Sequence, residues 1–221
     1  MTQSTSAHPA SPSLVLVRHG ETEWSLGGRH TGRTDVPLTA VGESQARAAG
    51  RVLEGRSFGL VLSSPRRRAV DTAMLAGFGE ELEVDGDLAE WDYGAYEGLT
   101  SAEISERFGE EWNLWVNGVE IDAEGRGEEA ADLLRRDLAV IHRAQAVLEK
   151  GEDVLVFSHG HFLRTLAATW VGLPVSGGEY LALDTASISV LGFEHSCHVV
   201  RSWNRTPWAE SVAAGSPEAG R

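Results

Sequence analysis

Two short apolar runs, Leu14-Val15-Leu16-Val17 and Val154-Leu155-Val156-Phe157, constrain the fold of this 221-residue chain more than any other feature. Neither alternates polar with apolar residues, and both are partly β-branched or aromatic, as strands covered on both faces of a parallel sheet are. Each is followed almost at once by His-Gly, at His19-Gly20 and His159-Gly160, where glycine permits a sharp exit from a strand. The two segments stand 140 residues apart and end alike.

Start signals place helices between the strands. Thr39 opens one over 39–54, Pro65 one over 66–78, and the capping box Thr100-x-x-Glu103 one over 100–108. From Glu128 to Lys150, the residues Ala131, Leu134, Leu138, Ile141, Ala144 and Leu148 recur at spacings of three and four, which predicts one amphipathic face against a sheet. Further strands are expected at 60–63, 187–193 and 198–203. Alternating strand and helix predicts a mostly parallel α/β sandwich, with ligands beyond the carboxyl ends of its strands. Both His-Gly pairs fall at that edge. The Gly- and Glu-rich stretch 117–130 reads as a loop or insertion. Residues 1–13 and 206–221 have little to bury, so a disordered N-terminal tail and a flexible C-terminal tail are expected around one domain over 14–205.

Lys and Arg number 19 against 33 Asp and Glu, a net charge of −14. That balance argues against a broad phosphate-backbone or anionic-lipid surface, so neither nucleic acid nor membrane is expected as a partner. The single Cys197 cannot form an internal disulfide and suits a reducing, cytoplasmic setting. The opening MTQSTSAHPASPS lacks the basic and apolar regions of a secretory signal, and no apolar run approaches the ~18 residues that cross a bilayer. Seven Trp leave room for an exposed apolar patch, through which two copies could pair as a homodimer.

Arg18-His19-Gly20 sets a guanidinium beside an imidazole where a strand opens toward solvent. Arg can span two oxygens of a phosphate while a neutral imidazole attacks phosphorus. The tripeptide alone would equally suit a surface Arg and a hydrogen-bonded His. Ser158-His159-Gly160-His161 repeats the arrangement, so the two strand ends could share a phosphate or a metal. Arg18 would repel a cation, and no carboxylate-flanked HxH or HxxE pattern lies near His19. A metal-dependent hydrolase on His19, His159 and His161 is nonetheless a competing reading, and a chelator would inactivate it. Ser63-Ser64-Pro65-Arg66-Arg67-Arg68-Ala69 brings cations to a helix N-terminus, where the dipole also favours an anion, although not all three arginines can point inward. Glu90-Trp91-Asp92-Tyr93-Gly94 mixes acids and aromatics in a loop, a setting for a carboxyl acting as general acid.

Together these four segments resemble the histidine phosphatase superfamily, which includes cofactor-dependent phosphoglycerate mutase, over about Leu14 to Trp203. The resemblance implies a three-layer α/β/α sandwich with a mostly parallel central sheet. It implies His19 as the phosphorylated nucleophile and Glu90 as proton donor, with Arg18, Arg68 and His159 holding the transferred group and no metal or cofactor required. The stretch from Glu23 to Thr39 and the Glu-Trp-x-Tyr-Gly-x-Tyr-Glu-Gly loop are similar to an acid phosphatase and sedoheptulose-1,7-bisphosphatase-like subgroup. A small phosphorylated metabolite is the implied partner. Candidates for its pocket are Thr22, Ser25, His30, Thr31 and Gly32 after the first motif and Trp91, Tyr93, Gly160 and His161 around the others; Arg164 also lies in the helix after the second strand. Many relatives carry Asn where Ser25 stands, and Gly-Glu-Ser or Gly-Glu-Thr where Gly127-Glu128-Glu129 stands. In mutases an Arg follows the acid and further basic residues hold a substrate carboxylate. Here Trp91 follows, and Arg107 is the only cation from Glu97 to Glu124, which favours hydrolysis. A mutase and a non-catalytic phosphate-binding module of the same fold are the alternatives.

Overall fold

A computed structural model describes residues 11–209; most of the two expected tails lies outside the described residues. Strands β1 (Leu14–Arg18), β2 (Leu60–Ser63), β3 (Leu82–Val84), β4 (Val154–Ser158), β5 (Ile188–Glu194) and β6 (Cys197–Arg205) form one sheet in the order β3-β2-β4-β1-β5-β6. The first four run parallel, β5 returns antiparallel to β1, and β6 is antiparallel to β5. Helices α1 (Glu23–Leu26), α2 (Ala40–Leu53), α3 (Arg67–Leu75), α4 (Ser101–Phe108), α5 (Leu114–Asn117), α6 (Ala130–Leu148) and α7 (Gly160–Trp170) follow in chain order.

Because β1 and β4 are apolar on both faces, each strand supplies two cores. Val15, Val17, Leu155 and Phe157 pack with Ala49 and Leu53 of α2 and Ala73 of α3. Leu14, Leu16, Val154 and Val156 face the opposite way, toward Leu133, Val140 and Ala144 of α6 and Phe162, Leu163 and Leu166 of α7. The result is the three-layer α/β/α sandwich, with the carboxyl ends of β1, β2 and β4 at one edge.

The buried face of α6 differs from the expected one. Leu134 and Leu138 are 41% and 52% exposed, whereas Leu133, Asp137, Val140, Ala144 and Leu148 are buried. A stripe counted on apolar residues alone is displaced because this helix buries Arg136 and Asp137. The Asp137 carboxyl accepts bonds from the hydroxyls of Thr165 (3.1 Å) and Thr169 (2.9 Å) of α7, tying the two helices together. Burial pushes its pKa up to about 7, against the two threonine bonds.

Gly20 also serves a purpose other than a strand exit, since neither it nor Gly160 has a positive φ. A Cβ on Gly20 would lie 2.4 Å from the Gly42 carbonyl oxygen, and one on Gly42 would lie 2.1 Å from that of Glu21. The paired glycines let the first turn of α2 rest directly on the backbone that follows β1. The seven Trp do not form an exposed patch either. Trp91, Trp112 and Trp170 are buried and the other four half-buried. The indole N–H groups of Trp91, Trp170, Trp203 and Trp208 donate to the carbonyls of Glu128, Gly192, Ala182 and Thr185. Trp208 thus packs on the domain beyond the expected boundary at 205. Among the described residues, no helix is long and apolar enough to cross a membrane.

Two outcomes are expected. Gly42→Ala inserts a methyl against backbone and costs about 1–3 kcal/mol of stability, read as a lower denaturant midpoint at unchanged slope. Asp137 ionises near pH 3.9 in an unfolded chain and near 7 here. Between those values the folded state holds a proton that the unfolded state has lost, so stability falls as pH rises through the window. Asp137→Asn removes that contribution, a slope of at most about 1.4 kcal/mol per pH unit, and gains on the parent at pH 8 relative to pH 4 in thermal or urea unfolding.

Candidate active site

The parallel register of β1 and β4 sets Arg18 opposite Ser158, so His19 and His159 leave the sheet side by side. Their rings stand edge to face with centroids 5.2 Å apart. The Nδ1–H of His19 donates to the Gly20 carbonyl at 2.7 Å, which leaves Nε2 as the free ring nitrogen. Burial, then the guanidiniums of Arg68 and Arg18, push the His19 pKa well below that of a free imidazole, and the ring is neutral at pH 7. Arg18 donates from Nη1 to the Leu183 carbonyl at 2.5 Å, while its Nε is buried without a partner among the described residues.

Arg68, the second residue of α3, is fully buried. Its Nε donates to His159 Nδ1 (3.1 Å), its Nη1 to the Thr34 carbonyl (2.9 Å), and its Nη2 to the carbonyls of Thr31 (2.8 Å) and Gly32 (3.2 Å). With Nδ1 accepting, the His159 ring carries its proton on Nε2 and donates to Ser64 Oγ at 2.7 Å. Arg68 and His159 therefore sit behind His19 as a clamp on the 31–34 segment and do not line the cavity. Of the neighbouring arginines, Arg67 turns outward to Asp71 at 3.1 Å, and Arg66 is half-buried.

Glu90 follows a 3-10 turn over Gly86–Leu88 and caps α7 from outside that helix. Its Oε1 accepts from the N–H of Phe162 (2.8 Å) and Trp91 (2.9 Å), and Oε2 from the N–H of His161 (3.1 Å). This supplies the cap that the His159 side chain at the N-cap position does not make. The loop around Glu90 is itself held by a buried ion pair. Arg136 meets both oxygens of Glu128 at 2.7 Å and donates from Nη1 to the carbonyls of Asp87 and Ala89. Glu128 in turn accepts the Asp92 N–H on Oε2 and the Trp91 indole N–H on its carbonyl. Sequence reading assigned Glu128 no role; its one signal was its position in a Gly-Glu pair.

A cavity of about 250 Å³ opens over His19, Arg18 and Glu90. Ser25, His30, Thr31, Tyr93, Gly160 and His161 wall it, whereas Thr22, Gly32 and Trp91 do not. Thr22 is buried and caps α1 reciprocally with Ser25. The Gly32 N–H donates to both oxygens of Glu97 (3.1 and 3.0 Å) and its carbonyl serves Arg68. Trp91 is buried against Trp115. Gly28, Arg29, Ser101, Arg164 and Leu183 complete the walls; Leu183 comes from a segment without a motif.

The rings in the cavity are uncharged. Burial pushes the His161 pKa well down, lowers that of His30 to about 4 against the pull of Glu97, and raises that of Tyr93. Tyr93 Oη and His161 Nδ1 lie 2.6 Å apart. His19, His159 and His161 do not form a set of metal ligands, since protein groups occupy both nitrogens of His159 and Nδ1 of His161. Among the described residues, no group of three or more His, Cys, Asp and Glu could hold a metal ion.

A neutral, buried imidazole with guanidinium and carboxyl beside it, at the carboxyl edge of an α/β/α sheet, defines a site suited to phosphoryl groups. Consistent with that, residues 14–206 match the histidine phosphatase superfamily (branch 1), and the chain belongs to it. An acid phosphatase of Mycobacterium tuberculosis is 44% identical over 91% of this chain and 97% of its own. Sedoheptulose 1,7-bisphosphatase of Saccharomyces cerevisiae is 37% identical over 75% of this chain and 69% of its own. The solved structure of an open-reading-frame product of Mycobacterium tuberculosis superposes with a TM-score of 0.81 at 42% identity, over 89% of this chain and 98% of that one.

Because Glu128 and Arg136 are only 14% and 7% exposed, Glu128→Ala strands a buried guanidinium. The expected cost is about 3–5 kcal/mol, together with a fall in kcat as the Glu90 loop loosens. Glu128→Gln keeps one of the two acceptor oxygens and recovers part of both, measured by urea unfolding and initial rates.

Proposed function

We propose that the protein is a phosphatase of this superfamily that hydrolyses small phosphate monoesters, sugar phosphates among them, through a phosphohistidine on His19 and without a metal ion. One observation carries the reading. The free Nε2 of a neutral His19 belongs to the same cavity wall as Glu90 and as Arg18, whose buried Nε has no partner among the described residues. Buried donors of that kind are rare unless something else satisfies them, and a phosphoryl oxygen would do so. The phosphatase names of the acid phosphatase and sedoheptulose 1,7-bisphosphatase relatives support the same activity.

In the first step Nε2 of His19 forms a bond to phosphorus as the ester P–O bond breaks, and protonated Glu90 gives its proton to the departing oxygen. In the second, water attacks phosphorus, the N–P bond breaks, and the Glu90 carboxylate takes the water's proton. Arg18 and the N-terminal dipole of α7 stabilise the equatorial oxygens. Arg68, with one N–H not engaged by any of the described residues, adds charge from behind His19. His159 holds the Arg68 guanidinium and the ring of His19 in place. Because the first step uses a protonated carboxyl, the rate declines from a mildly acidic optimum toward alkaline pH. The exposed, unpaired Cys197 suits a reducing cytoplasm.

Incubation with labelled substrate and an alkaline quench is expected to trap a phosphoenzyme that is lost on acid treatment. His19→Ala forms none and releases phosphate at least about 1,000-fold more slowly, on the scale of removing a catalytic nucleophile. EDTA leaves the rate unchanged. Label retained by His19→Ala, inactivation by EDTA, or isomerisation of phosphoglycerate without phosphate release contradicts the proposal.

A further inference from the structure

One hydrogen bond among the described residues aims the Arg18 guanidinium, the 2.5 Å contact from its Nη1 to the Leu183 carbonyl. Its direction is therefore set by the 182–187 turn. The same turn bonds the backbone at the end of β1: the Arg18 N–H donates to the Ser187 carbonyl at 3.2 Å, and the Ala186 N–H to the His19 carbonyl at 3.0 Å. Ala186 has a φ of +51°, in the left-handed region that a residue with a Cβ seldom enters. Such a conformation persists only where its surroundings over-determine it. Here β6 provides that hold.

Ile188 of β5 pairs with Arg205 of β6, and Val190 with Ser202, so β6 has one residue more than β5 over this stretch, a β-bulge. Successive side chains of a regular strand point to opposite faces, but the bulge lets Trp203 and Asn204 reach the same turn. Asn204 takes up the extra length with a φ of +54°, which Asn tolerates. The two side chains then grip the residues on either side of Leu183. The indole N–H of Trp203 donates to the Ala182 carbonyl at 2.5 Å. Asn204 Oδ1 accepts the Asp184 N–H at 2.7 Å, and its Nδ2 donates to the Asp184 carboxylate at 2.9 Å. Neither Trp203 nor Asn204 lines the catalytic cavity.

We propose that Asn204 and Trp203 are positioning residues for Arg18, acting through the 182–187 turn, an inference that rests on the phosphatase reading of the site. Held on both sides, the Leu183 carbonyl is a fixed acceptor, and the buried Nε of Arg18 stays free for an oxygen of the transferred group. If that carbonyl swings, the guanidinium follows it, and a displacement of about 1 Å at a group that aligns the substrate can cost about 100-fold in rate. Charge offers a second route between the same residues. Burial lowers the Arg18 pKa, and the charges of Glu90, Tyr93 and Asp184 oppose it. The two routes are separable, because a neutral residue at 184 removes the charge while Asn204 still has an acceptor there.

The test measures phosphate release from p-nitrophenyl phosphate and from glycerol 3-phosphate, with inorganic phosphate as competitive inhibitor. Asn204→Gly keeps the positive φ and removes both carboxamide bonds. It is expected to lower kcat/KM by about 10-fold, the scale of one lost hydrogen bond, and to raise the inhibition constant of inorganic phosphate. Both esters lose alike, because the part of the substrate affected is the one they share. Trp203→Phe keeps an aromatic ring without the N–H and shifts both readings the same way. Asn204→Asp sets two carboxylates against one another and is impaired. Adding Asp184→Asn to it restores a donor and an acceptor in reversed order and recovers most of the rate, which a general loosening of the fold would not do. Unchanged kcat/KM and phosphate inhibition in Asn204→Gly, or a double variant no better than Asn204→Asp, overturns the proposal and leaves the phosphatase reading standing. A loss in Asp184→Asn alone as large as that in Asn204→Gly assigns the effect to charge and overturns it too. Release of phosphate from neither ester by the unmodified protein overturns the reading beneath it.

Discussion

Register between β1 and β4 decides where the chemistry can occur, because one parallel ladder carries both imidazoles. Arg18 stands opposite Ser158, so the residues that follow, His19 and His159, emerge together, although about 140 residues of chain lie between them. A slip of one residue in this pairing would turn every side chain of the strand to the other layer. The dense packing of both faces forbids it, since Val15 and Val17 fit one layer and Leu14 and Leu16 the other. The same apolar pattern that makes the sheet therefore also aligns the site. The glycine contact between Gly20 and Gly42 then fixes the first loop against α2.

Burial does a second job at this edge. It strips His19, His30, His159 and His161 of their usual tendency to protonate, so neutral nitrogens coexist with several guanidiniums in a small volume. The cost appears in acid. An unfolded chain protonates these rings from about pH 6.5 downward, while the folded state resists until far lower, to about 4 for His30. Stability therefore falls as pH drops through that window, opposite in sign to the contribution of Asp137. Between about pH 4 and 6.5 the two slopes oppose one another.

Much of this was legible in the sequence, and the failures have a common physical origin. Runs without alternation identified β1 and β4, and Thr39 and Thr100 marked the starts of α2 and α4, because those signals are local. Four residues carry no period, so α1, α5 and the three-residue β3 left no trace. The face of α6 was misjudged because Asp137 and Arg136 are buried through partners on α7 and around Glu90 that no spacing within the helix announces. Arg68 and His159 were expected around the transferred group. They stand behind His19 instead, because the carbonyls of the 31–34 segment claim the guanidinium. Thr22, Gly32 and Trp91 sit in motifs beside wall residues, yet each faces the protein rather than the cavity. Glu128 matters because it joins Arg136, eight positions on, to Trp91 and Asp92, 37 and 36 positions back, a link that no local spacing announces.

The stereochemistry at phosphorus tests the central claim most directly. A phosphorothioate monoester whose phosphorus is made chiral with sulfur and two oxygen isotopes, hydrolysed in water of the third isotope, yields chiral thiophosphate and reports the number of displacements. Attack by His19 followed by attack of water inverts phosphorus twice and predicts overall retention of configuration. Overall inversion would mean that water attacks the ester directly, and would remove the phosphohistidine from the pathway.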